Sequence, residues 1–229
     1  MKTLSTDQIQ TLHTFVKKHY VEYYDIELEL VDHLANGIEA QWVEDSTITF
    51  EIALEREFKK FGIFGFSDVV DNKTSTLYNH YIKLIFKKII DFLHWPKIIL
   101  TGGIYYILYL AIEYLSLTFD TEDITSTFTW SALIVSAIYM VIESTRIKRE
   151  NKKTNTKWLM DRVLLSIIAG PLSAFYMFYA IFRRLSKYSI TLATICCLFI
   201  GLWIYITYFV VLPQLKLEKD KKRKDILHA

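Results

Sequence analysis

Little in this chain can bend it or cross-link it: 2 cysteines, 3 prolines and 7 glycines in 229 residues. The two cysteines, Cys196 and Cys197, are neighbours inside an apolar run. Adjacent residues rarely meet disulfide geometry, so a disulfide framework is excluded and both read as small packing residues. Scarce proline and glycine, beside 52% hydrophobic and 15% aromatic residues, exclude a disordered or low-complexity chain. Also missing are CxxC, HExxH and Glu-x-x-His spacings, a glycine-rich phosphate loop and a nucleophile elbow. No catalytic residue, metal ligand or cofactor is therefore expected, and the chain reads as a non-enzyme. Met1–Gln10 is polar and lacks the apolar core, about 7–15 residues long, of a secretory signal peptide. The N-terminal part is expected to stay in the cytoplasm.

What is present is sharply polarised. Residues 1–72 hold 14 Asp/Glu against 6 Lys/Arg, a net −8, whereas the remainder holds 21 Lys/Arg against 11 Asp/Glu, a net +10. An acidic head makes a poor nucleic-acid binder, because phosphate contacts need Lys and Arg. Within that head, Ser5 and Gln8 have capping-box spacing ahead of Ile9, Leu12, Phe15 and Val16. In a second helix, Leu30, Val31, Leu34, Ala35, Ile38 and Trp42 share one face. Thr49 can cap a third helix, Gly62 sits where a left-handed C-cap belongs, and Ser67 can cap a fourth. The turn between, "FGIFGF", is expected to return Phe61, Phe64 and Phe66 to the bundle.

The remainder is membrane-like. Four apolar segments, 98–119, 127–142, 163–182 and 188–212, compare with the roughly 20 residues a spanning helix needs; the second is short. In lipid every backbone group must be satisfied internally, so these are helices. The chain therefore reads as an all-α integral membrane protein. Its parts are an acidic head (1–78), an amphipathic interfacial helix facing membrane lipids (79–96), a four-helix transmembrane bundle (97–215) and a basic tail (216–229). Loop 120–126 has no Lys or Arg, whereas 143–162 carries Arg146, Lys148, Arg149, Lys152, Lys153, Lys157 and Arg162. This asymmetry places both termini in the cytoplasm of a bacterial inner membrane. Arg183, Arg184 and Lys187 dissent, since they would lie outside. Making span three re-entrant at Gly170–Pro171 would relieve them but send the basic tail out, so four full spans are expected.

The head carries a pattern of its own: Glu29, Leu30, Asp32, His33 and Leu34, then Glu51, Ala53, Leu54, Phe58, Phe61 and Gly62. It resembles HAAS-type signalling domains, the short helical heads of small bacterial membrane proteins often linked with PadR-type regulators. The resemblance covers roughly residues 5–70. It implies signalling or regulation and supplies no catalytic residue.

On the second helix Asp25, Glu29, His33 and Asn36 lie opposite the apolar stripe, with Asp32 nearby. Glu29 and His33 are i,i+4 neighbours, but two ligands without a partner motif do not close a metal site. These five residues read instead as a solvated face that docks a protein with a basic patch, or the protein's own basic loop. Inside the spans, Glu113 is an ionisable residue near an interface and Gly170–Pro171 a kink or hinge. Together they carry the alternative reading, a small transporter or transporter subunit.

Overall fold

The capping box starts the molecule. In the computed structural model, which describes residues 2–227, Gln8 N–H donates to Ser5 Oγ at 3.2 Å and Ser5 N–H to Gln8 Oε1 at 2.9 Å, opening α1 (Thr6–Lys18). The helices α2 (Tyr24–Glu44), α3 (Phe50–Lys59) and α4 (Phe66–Asp91) follow. Thr49 Oγ1 caps α3 by accepting from Ile52 N–H at 3.4 Å. Then come α5 (Lys97–Leu115), α6 (Thr121–Thr154), α7 (Leu159–Tyr188) and α8 (Ile190–Tyr205), a π-helical turn (Ile206–Val211), and α9 (Leu212–Leu227). The fold is all-α: among the described residues the only extended pairing is one bridge, Tyr23 with Lys157.

The chain forms two compact units. The first runs to Leu77 and includes Glu150–Arg162, and the second is Tyr78–Arg149 with the chain from Val163 onward. In the first unit, Leu30, Val31, Leu34, Ile38 and Trp42 of α2 are buried against Leu12 and Val16 of α1, Ala53 and Leu54 of α3, and Phe66. Leu159, from the distant segment, belongs to the same core.

The turn "FGIFGF" departs from expectation. Gly62 (φ 76°) and Gly65 (φ 56°) take the left-handed conformation that glycine alone adopts freely. Phe61 and Phe66 pack edge to face at 4.8 Å, but Phe64 points into solvent. Two reversals in four residues turn only the flanking rings inward. Ser67 is not a cap either, because α4 begins one residue earlier.

Among the described residues, four helices are long and apolar enough to cross a membrane: α5, α6, α7 and the run Ile190–Ile226. Only 11% of the most apolar window of α5 is buried. So much apolar surface left outside a packed helix calls for lipid as its solvent, which makes this a membrane protein. Several boundaries differ from the hydropathy segments, because charge ends an apolar run without ending a helix. The short second span is part of a 34-residue helix that continues through its basic residues to Thr154. The tail continues the last span as α9, and residues 79–91 belong to the one long helix α4. Pro171 lies inside α7, which runs unbroken for 30 residues, so span three does not turn back at Gly170–Pro171.

The π-helical turn was not legible beforehand. Pro213 follows it and lacks the N–H that an α-helix would use, while Leu212 N–H reaches back to Thr207 carbonyl. Widening the helix just before a proline relieves its ring's clash with the preceding turn.

Candidate functional site

The start of α2 holds a segment from far down the chain. Tyr24 N–H donates to Lys157 carbonyl at 2.8 Å, giving the parallel bridge with Tyr23. Asp25 Oδ1 accepts from Leu159 N–H at 3.1 Å. The first N–H groups of any helix lack internal partners, and Trp158, just before α7, has no side-chain acceptor to offer. Asp25 therefore caps α7 from another element. The Trp158 ring packs edge to face on Tyr24 at 5.7 Å, and Leu159 enters the head core.

Two ion pairs flank this clasp, Glu22 with Lys157 at 2.7 Å and Asp71 with Arg162 at 3.7 Å. The Glu22 carboxylate beside Lys157 holds its ammonium above the ordinary lysine value. Both pairs are solvent-exposed, so each contributes about 0–1 kcal/mol. Burying Leu159 is worth more, about 1.5–3 kcal/mol. The apolar anchor and the buried cap hold the segment, and the charges guide it. Its turn is set by Asn155, at φ 50°, a conformation asparagine tolerates better than most residues. A polar cavity of about 240 Å³ in this unit is lined by Tyr20, Glu22, Asp71 and Arg162 among others.

Asp25 thus leaves the expected solvated face: it is 3% exposed. The helical wheel is right about its direction, but a wheel cannot see a neighbour arriving from 134 residues away. Glu29, Asp32, His33 and Asn36 stay exposed. Glu29 pairs with Lys73, Asn36 Nδ2 donates to Asp32 Oδ2 at 3.2 Å, and His33 lies edge to face on Phe61 at 5.5 Å. Among the described residues no three His, Cys, Asp or Glu side chains come together as a metal site.

Sequence reasoning also missed the burial of Glu27 and Glu57. Glu27 is tied to His13 at 2.7 Å and Lys17 at 3.1 Å, and Glu57 to Gln41 and Lys60, each at 2.6 Å. Glu57 follows Ala53 and Leu54 at helical spacing, a signal that it shares their buried face.

In the second unit, Glu113 lies on the exposed side of α5. The buried carboxylate is instead Glu143 of α6, which accepts from Lys216 of α9. Lys216 Nζ also donates to Tyr139 Oη at 3.3 Å, and the Tyr139 ring tilts against Tyr208 at 4.8 Å. Gly170 has open space where a Cβ would stand. Compared with family models, with curated proteins and with solved structures, the chain finds no match.

Proposed function

We propose that this is a non-enzymatic interaction and signalling protein of a bacterial inner membrane, with both termini in the cytoplasm, whose helical head regulates the membrane domain. The observation that carries the reading is the hold of Glu22–Asp25 on Lys157–Leu159, the link between two candidate spans. A head that caps the first turn of a span and buries its first leucine can bias that helix, provided the hold can open. The exposed residues Glu29, Asp32, His33 and Asn36 supply a face for a partner with a basic patch. The resemblance of residues 5–70 to HAAS-type heads agrees with such a role.

The test releases the clasp in the full chain with Glu22→Lys and Asp25→Ala. Hydrogen exchange should speed up at residues 155–162 while α1–α3 stay protected. Cys197, 2% exposed within the bundle, should at the same time react faster with maleimide. A freed loop with unchanged Cys197 reactivity would remove the regulatory reading. Solute flux through reconstituted vesicles, abolished by Glu143→Gln, would replace it with transport, placed at the Glu143–Lys216 pair rather than at Glu113.

A further inference from the structure

The turn between α3 and α4 displays its most apolar residues outward. Ile63 is 98% exposed and Phe64 71%, held between the left-handed Gly62 and Gly65. Their display does not come from a loose loop, because the turn is rooted on both sides. Phe61 and Phe66 pack on each other, and Phe66, 1% exposed, also meets Phe58 at 5.0 Å. Just before the turn stand Lys59 and Lys60, with 72% and 64% of their side chains exposed. Their carboxylate partners are Glu55, also exposed, and the buried Glu57.

We propose that Ile63 and Phe64 form a wedge that inserts into the interfacial layer of the lipid bilayer, with Lys59 and Lys60 at anionic headgroups. The shape of the feature selects lipid over protein. It is a convex tip of two side chains, whereas a stable protein interface buries about 1,200–2,000 Å² in total. Insertion into lipid has no such minimum area. The chain's own spans also tether the head near a bilayer, so a weak contact gains from a high effective concentration. Paired apolar and basic side chains are the combination that binds membrane surfaces. The inference holds whichever way the spans are oriented, and it uses none of the residues of the clasp.

The experiment uses the full chain with Cys196→Ala and Cys197→Ala and one new cysteine, Ile63→Cys, carrying a bimane label. The protein is reconstituted in phosphatidylcholine–phosphatidylglycerol vesicles whose chains are brominated near the headgroup. The label at 63 should lose most of its fluorescence, whereas a label at Ser46→Cys, exposed elsewhere on the head, should keep it. Adding Lys59→Gln should weaken quenching at 63 in these vesicles. A label at 63 that brominated lipid does not quench overturns the proposal. If that label is also shielded from iodide, a protein covers the tip instead.

Discussion

One missing methyl group lets α2 and α3 close on each other. A Cβ on Gly37 would stand 2.4 Å from Glu57 Oε2, and that carboxylate is 2% exposed and bonded to Gln41 and Lys60. Replacing glycine by alanine inside a helix normally gains up to about 1 kcal/mol from backbone entropy. Here the new methyl must displace a buried, hydrogen-bonded carboxylate, at about 1–3 kcal/mol or more for a charged group. The second effect is larger. Gly37→Ala is therefore expected to lower the thermal midpoint of the full chain in detergent, whereas Gly170→Ala, with open space at its Cβ, should not. Equal midpoints for both variants would show that Glu57 moves aside freely. The buried Glu57 could be suspected from its spacing, but its dependence on Gly37 could not, because helix crossing brings together residues 20 apart in sequence.

At the scale of elements, α6 and α9 are joined by the pair Glu143–Lys216, whose side chains are 8% and 27% exposed. A buried ion pair adds little over an apolar pair of the same size, yet removing one partner strands the other charge, at about 3–5 kcal/mol. Glu143→Leu or Lys216→Leu alone should thus destabilise the bundle strongly in denaturant titrations. The double variant should recover much of the loss. Losses that simply add would mean that the two charges are independent in solution. In the sequence, Glu143 stands just past an apolar run and Lys216 opens the basic tail. Only packing turns them inward. Glu113, by contrast, stands inside an apolar run near an interface and is exposed on α5.

For the whole molecule, two of the three charges that disagree with a simple topology, Arg183 and Lys187, have a partner. Arg183 lies 3.3 Å and Lys187 3.7 Å from Glu122, and Thr121 Oγ1 donates to Ser186 carbonyl at 2.7 Å. The start of α6 and the end of α7 therefore share one end of the bundle, and Glu122 offsets the positive charge of Arg183 and Lys187. On the proposed topology, with both termini in the cytoplasm, that end faces outward. Cysteines at Asp120 and Asn155, both exposed, distinguish the arrangements. In intact cells an impermeant maleimide should label the cysteine at 120 and spare the one at 155. The reverse pattern would invert the orientation and put the head outside.

Sequence alone determined the kinds of element and their solvent. Ser5–Gln8, Thr49 and Gly62 mark helix ends because capping is local chemistry, completed within four residues. The apolar lengths marked the spans because a bilayer imposes a fixed thickness on any chain that crosses it. What tertiary structure alone decided is which polar groups are buried and what they hold. Asp25 and Glu143 look like surface residues until a partner arrives from 134 or 73 positions away. Periodicity gives the direction of a side chain from its helix axis, but it carries no information on what the fold has placed there.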